Sequence, residues 1–303
     1  MHETIELHGI PMDLGANLRG VDMGPTALRI AGLERALEAI GYTVIDRDEV
    51  SIPSRAQLPR AGGSAKYLDE IVVACERLCV VAQDAMERKV IPIFMGGDHS
   101  LAVGTISGVS SYFRERKEKL GVIWFDAHAD MNTPDSSPSG NVHGMPLAAL
   151  LGIGPSTLCE IGGFREKFAV ENTVVVGARD VDENERKLVA KSGVKVFSMK
   201  EIDQLGMAEV TRRSLEIAGK GTSRIHLSFD IDGLDPSVAP GVGTPVRGGI
   251  NFREAHLFME LLADSGKICS LDVVELNPVR DDKNCTAEAV IHLLQSLFGR
   301  SIL

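Results

Sequence analysis

The stretch GVIWFDAHADMNTP, residues 121–134, runs five largely apolar residues straight into Asp126, His128 and Asp130, which alternate with two alanines. The apolar run reads as a buried strand, and charged groups rarely follow such a strand so closely. Residues two apart in an extended chain point the same way, so the three polar side chains can converge. The fold must therefore present ligand-type side chains at the carboxyl end of a strand.

The pattern recurs elsewhere. VIPIFMGGDHS (90–100) ends on Gly96, Gly97, Asp98, His99 and Ser100, and RIHLSFDIDGLDP (224–236) delivers Asp230 and Asp232, with Asp235 beyond them. SLDVVELNP (270–278) puts Glu275 at the end of the last strand. About eight strands are predicted, at 4–10, 42–48, 90–95, 121–125, 173–178, 194–199, 224–229 and 268–276. Amphipathic stretches lie between them, such as 26–41, read as one helix ending on Gly41, and 65–89. Strand–helix alternation without a break in composition predicts an α/β fold, with a mainly parallel sheet and helices on both faces. One domain over residues 1–303 is expected, and the Pro/Gly-rich segment 51–64 reads as a surface loop. Ligands of such sheets bind at the carboxyl ends of the strands.

Composition is that of a globular protein, with 44% hydrophobic and 24% charged residues among 303. The formal net charge of −10 argues against nucleic-acid or anionic-membrane partners and suits a partly cationic small molecule. Five cysteines (Cys75, Cys79, Cys159, Cys269, Cys285) sit largely in apolar context. They read as small buried hydrophobes of a reducing, cytoplasmic compartment, although Cys75 and Cys79 stand one helical turn apart, a spacing that can bind a metal. Neither a signal peptide nor a membrane span is visible.

Each strand-end motif alone has a bland reading. GGDHS is also a glycine turn with an N-cap, and Asp-x-Asp a solvated turn. Together, three strand ends contribute four carboxylates and two imidazoles, and carboxylates clustered without a cation would repel one another. A pair of divalent metals removes that repulsion, with at least one carboxylate shared. Oxygen and imidazole ligands without thiolate suit Mn²⁺, and Co²⁺, Fe²⁺ and Zn²⁺ remain compatible.

GGDHS, DAHAD and SFDIDGLDP together resemble the signature of the ureohydrolases, the arginase and agmatinase superfamily. The likeness runs from RGVDMGPTALR (19–29) to ELNP (275–278), with the motifs in the expected order. It implies a three-layer α/β/α fold with an eight-stranded parallel sheet, a binuclear manganese cluster, and a trimer or hexamer of identical chains. It assigns His99, Asp126, Asp130 and Asp230 to one ion and Asp126, His128, Asp230 and Asp232 to the other, so that Asp126 and Asp230 bridge. The loop MNTPDSSPSGNVHGMP (131–146) resembles arginases more than agmatinases. It implies Asn132, Ser137, Ser139 and Asn141 as contacts to a substrate α-carboxylate; many arginases have Thr where Ser137 stands. GARDVDENE (177–185) implies Asp182 and Glu185 near the α-ammonium. His143 matches a catalytic histidine, Glu275 the acid that holds the guanidinium, and Thr244 a residue lining the site.

The activity so implied is cleavage of the guanidino group of L-arginine to L-ornithine and urea by a hydroxide bridging two metals. Asp130 would help move the proton to the leaving amine, and His143 would exchange protons with solvent. Bland readings stand beside these roles: Asn132 and Ser139 as turn formers, Asp182 and Glu185 as helix-start acids, His143 as a loop histidine. Asp98 reads as a turn or supporting residue, and Asp235 as a turn former. His2, His8, His226, His256 and His292 lack carboxylate company in the sequence and are read as structural. Rival functions are another guanidino hydrolase, a metal-binding protein without turnover, and a binuclear phosphoesterase, which would need Lys or Arg near the metals.

Overall fold

In the computed structural model, residues 3–300 are described. Eight strands form one sheet: β1 (Thr4–Ile10), β2 (Thr43–Asp46), β3 (Ile91–Gly96), β4 (Leu120–Phe125), β5 (Thr173–Ala178), β6 (Lys195–Ser198), β7 (Arg224–Asp230) and β8 (Ile268–Val274). Their order is β2-β1-β3-β8-β7-β4-β5-β6, and every pairing is parallel. Eleven α-helices occur among the described residues: α1 (Gly24–Ala31), α2 (Leu33–Glu38), α3 (Leu68–Glu87), α4 (Ala102–Glu115), α5 (Pro146–Leu150), α6 (Ser156–Cys159), α7 (Glu183–Ser192), α8 (Met199–Leu205), α9 (Met207–Ala218), α10 (Phe252–Ser265) and α11 (Cys285–Leu297).

Two apolar cores flank the sheet, as period-two alternation requires. Ile123, Phe125, Leu227 and Phe229 pack with α1, α2, α9, α10 and α11 on one face. Val122, Trp124, Phe94 and Val175 pack with α3, α4 and α5 on the other. The result is a three-layer α/β/α architecture. No helix of the described residues is long and apolar enough to cross a membrane.

The expected helix over 26–41 is two helices. Gly32 takes φ +90° and breaks the chain between α1 and α2, because only glycine enters that region without steric cost. β8 is shorter than expected, since Glu275 turns to φ +67° and leaves the extended region. The 51–64 segment is loop with one short 3₁₀ turn at Arg55–Gln57.

Three histidines read as lacking carboxylate company do have acidic partners, a correction: two lie within their own element, on one face of β1 and one turn of α10, and the third meets its acid across β7 and β8. His8 Nε2 lies 3.2 Å from Glu6, His226 Nε2 3.1 Å from Asp272 and His256 Nδ1 3.2 Å from Glu260. His2 lies outside the described residues. Every cysteine is a free thiol, and burial pushes the Cys75 and Cys79 thiols up, as expected of small hydrophobes.

Candidate metal centre

The sheet order makes β3, β8, β7 and β4 neighbours, so His99, Glu275, Asp230 and Asp126 emerge side by side at four adjacent carboxyl ends. The turn after β3 is tight: a Cβ on Gly97 would lie 2.0 Å from the Met12 carbonyl oxygen. Asp98 then caps the following turn, accepting from Ser100 N at 3.1 Å and Gly15 N at 2.7 Å, so it supports the turn, as expected. Asp130 adopts φ +51° and Glu275 φ +67°, both left-handed and uncommon for residues other than glycine. Strain of this kind persists only where neighbours impose it, and it gathers at functional sites.

Extended alternation predicted the convergence of Asp126, His128 and Asp130, but β4 stops at Phe125, so the bend after the strand brings them together. His99 Nδ1 lies 3.3 Å from Asp126 Oδ2, 3.0 Å from Asp130 Oδ2 and 3.1 Å from Asp230 Oδ2. His128 Nδ1 lies 3.3 Å from both Asp126 Oδ1 and Asp232 Oδ2. Two ligand groups result, His99–Asp126–Asp230 and Asp126–His128–Asp232, and they share Asp126. Neither includes a cysteine. Asp130 reaches His99 but falls outside both groups, and Asp230 belongs to the first only.

These groups fit a cation. His99 Nδ1 and Asp130 Oδ2 are buried and make no hydrogen bond despite their proximity. His99 Nε2 pairs with Ser228 Oγ at 2.8 Å, and donation there leaves Nδ1 as a bare acceptor among acceptors. Lone pairs crowded together without a shared proton are what a metal ion relieves. The charge balance agrees. Burial and the Asp126 charge push the Asp130 carboxyl up to about 6. Asp230 is raised well above the carboxylate range by burial and by Asp232 and Asp126. Burial opposes charge on His99 and His128, but their carboxylates outweigh it and raise both imidazoles. Asp126 is held far below its usual range: burial is overcome by the two histidines. Acids and bases that both seek protons mark a cluster short of positive charge.

The surroundings fix the ligands. Trp124 stacks on His99 at 4.1 Å and donates its Nε1–H to Asp126 Oδ2 at 2.9 Å. Thr244 donates to Asp232 Oδ2 at 2.6 Å. Glu275 Oε1 accepts from His99 N at 2.9 Å and lies 2.9 Å from His143 Nδ1, while its Oε2 is buried without a partner. Burial disfavours the His143 cation, but the Glu275 carboxylate outweighs it and raises the imidazole to about 9.

Above the cluster lies a cavity of about 290 Å³, lined by every residue given a metal, substrate or catalytic role from the sequence except the buried Asp126 and Glu275. On its rim Asn132 Nδ2 donates to Asp182 Oδ2 at 2.8 Å, and Asp182 caps α7. Glu185 accepts from Met131 N at 2.9 Å, and burial pushes its carboxyl up to about 8. Ser137 Oγ accepts from Gly140 N at 3.0 Å and Ser139 Oγ from Asn141 N at 3.2 Å. A larger cleft of about 750 Å³ opens at the amino ends of the strands, where no candidate ligand group lies among the described residues.

Three residues escaped the sequence reading. Asp180 lines the cavity two positions before Asp182. Ser136 donates to Asn132 Oδ1 at 2.7 Å. Arg179 spends its donors on five carbonyls, those of Gly177, Asp232, Gly233, Leu234 and Val246, and so ties the Asp232 turn to the Thr244 loop. Asp180 and Arg179 stand inside the quoted GARDVDENE segment. The missing signal was the partner, which lies over fifty residues away for Arg179.

A model of the arginase family matches residues 3–299. The arginase of Brevibacillus brevis is 48% identical over 303 residues, with both chains fully covered. The crystal structure of arginase from Bacillus subtilis superposes with a TM-score of 0.93 at 46% identity, covering 99% of this chain and 100% of that one. The native arginase structure from Bacillus caldovelox gives 0.94 at 44%, with both chains fully covered.

Proposed function

The chain belongs to the arginase family, and from that premise we propose that it cleaves the guanidino group of L-arginine to L-ornithine and urea at a pair of divalent cations. The observation that carries the proposal is the buried double ligand group sharing Asp126, with His99 Nδ1 and Asp130 Oδ2 lacking hydrogen bonds. His99, Asp126, Asp130 and Asp230 would hold one ion, and Asp126, His128, Asp230 and Asp232 the other, Mn²⁺ suiting that donor set. Two such ions would supply Lewis acidity and acidify a bound water.

The chain's own residues do the rest. Glu275, its Oε1 committed to His99 and His143, keeps Oε2 to accept a guanidinium N–H. Asp130, whose buried Oδ2 lies beside His99 without a hydrogen bond, can pass a proton toward the leaving amine. His143, raised to about 9 by Glu275 and 17% exposed in its side chain, can exchange protons with solvent. Ser137 and Ser139 each accept a backbone N–H, and their hydroxyls meet at 3.5 Å, a weak contact that a substrate carboxylate accepting from both hydroxyls would replace. Asn132 and Asn141 flank that pair, and Asp182, held below the usual carboxylate range, offers negative charge to an α-ammonium, with the Glu185 carboxyl as a further hydrogen-bond partner. Thr244 steadies Asp232.

We further propose one catalytic domain over the chain, assembly as a homo-oligomer (trimer or hexamer), and residence in a cytoplasm whose reducing conditions suit five free thiols. Urea release from L-arginine and agmatine by the metal-loaded protein tests the reading. Agmatine lacks the α-carboxylate and leaves polar groups unpaired, so L-arginine should be preferred by about 10²–10³ in kcat/KM. Asn132→Ala and Ser139→Ala should narrow that gap with metal content unchanged. Equal turnover of both substrates would replace the arginine reading with a broader guanidino hydrolase.

A further inference from the structure

The cavity above the metal cluster is acid-lined. Outside the proposed metal ligands, Asp180, Asp182 and Glu185 line it, and no lysine or arginine lines it. A zwitterionic amino acid entering it presents an ammonium, which those acids favour, and a carboxylate, which they repel. A cation beside the hydroxyls of Ser137 and Ser139 would offset that repulsion where the carboxylate enters.

Lys66 meets this requirement. It lies just before α3, and its Nζ donates to Asn141 Oδ1 at 3.0 Å and Asn17 Oδ1 at 2.9 Å. Both partners are neutral amides, so the hydrogen bonds hold the ammonium without cancelling its charge. Two of its three donors are used, which leaves one N–H. Asn141, the first partner, donates its backbone N–H to Ser139 Oγ, so the ammonium stands one residue behind the hydroxyl pair. This is no free surface lysine. Its backbone N–H is bonded to Gly140 O at 2.8 Å, and a Cβ on Gly140 would come within 2.2 Å of the Gly63 carbonyl oxygen, so the two segments are in close contact. The next residue, Tyr67, is buried in the left-handed region at φ +53°, with Arg55 stacked 5.3 Å over its ring.

We propose that Lys66 is a specificity-determining residue, supplying through the 137–141 loop the positive charge that lets an α-carboxylate enter this acidic cavity. The inference rests on the arginine-hydrolase reading and deepens it. The mouth is then bipolar, with acids of the α7 side opposite the substrate ammonium and Lys66 opposite the carboxylate. An amine such as agmatine gains nothing from Lys66.

The test uses Lys66→Met, which keeps the stem, and Lys66→Arg, which keeps the charge, in the metal-loaded protein. A single charge acting across one intervening side chain near the surface is worth roughly a 3- to 10-fold change in affinity. Lys66→Met should raise KM for L-arginine by about that factor with kcat changed less than about twofold, and the difference should shrink at high salt. Calorimetric binding of the product L-ornithine should weaken alike, while 1,4-diaminobutane, which lacks the carboxylate, should bind as before. Lys66→Arg should restore most of the loss. Unchanged KM and ornithine affinity in Lys66→Met would overturn the proposal, as would equal losses on arginine and agmatine, which would make Lys66 a loop brace only. A wild-type protein that turns over agmatine as well as arginine would instead overturn the underlying reading, and this inference with it.

Discussion

Two buried acid clusters lie on the same sheet, and they are built in opposite ways. Glu6, in β1, is 1% exposed in its side chain and is met by Arg88 Nη2 at 2.7 Å, by Arg47, and by His8 at 3.2 Å. Burial would push its carboxyl up, but the two arginines outweigh burial and hold it at about 2. The strand-end cluster has four carboxylates and only two imidazoles, and there Asp130, Asp230, His99 and His128 are all raised. The first cluster is closed by cations of the chain itself. The second is left open to charge from outside, which separates an acid cluster closed by its own chain from one of similar burial whose groups could hold a metal ion.

The largest test of this contrast removes shared ligands. On the proposed assignment, in which Asp126 and Asp230 each serve both metals, Asp126→Ala or Asp230→Ala should lose both ions and at least about 10³-fold in activity. His99→Ala should chiefly weaken one ion. Elemental analysis reads the stoichiometry, and two ions retained in Asp230→Ala would refute its bridging role.

The closed cluster should answer to a different assay. Arg88→Met strips Glu6 of two hydrogen bonds and should cost about 2 kcal/mol in urea unfolding; the partial exposure of both arginines keeps this below the 3–5 kcal/mol of a fully buried pair. Metal content and kcat should not move. A fall in bound metal would merge the two clusters functionally and break the comparison.

The smallest effect is the acid limb of stability. The folded-state pKa of Glu6 is depressed from 4.5 to about 2, so its contribution is fully present above pH 4.5 and is lost as pH falls through about 2. Glu6→Gln should flatten stability against pH in that window. An unaltered slope between pH 4.5 and 2 would show that the Glu6 pair carries no linkage.

Much of the site was legible because its residues come in runs. His99, Asp126, His128, Asp230 and Asp232 each follow an apolar strand, so residue type and position carry the inference without knowledge of neighbours. The eight strands were legible for the same reason, apart from ends set by non-local geometry, such as Glu275. The helix break at Gly32 was missed because a glycine inside an amphipathic pattern is tolerated as often as it interrupts. Asp272 beside His226 was hidden, since the two meet only across β7 and β8.

The sequence by itself determined the donor chemistry: oxygen and imidazole ligands at strand ends, hydroxyls and amides in the loop after β4, and acids before α7. Those properties belong to individual side chains and their immediate spacing. Only the tertiary structure decided that β3, β8, β7 and β4 lie side by side, that Asp130 and Glu275 bend left-handed, and that Arg179 and Lys66 reach the loops they serve. The reason is physical. Strand order and loop packing arise from pairings between segments far apart in the chain, and neither hydrophobic period nor residue type encodes which strand lies next to which.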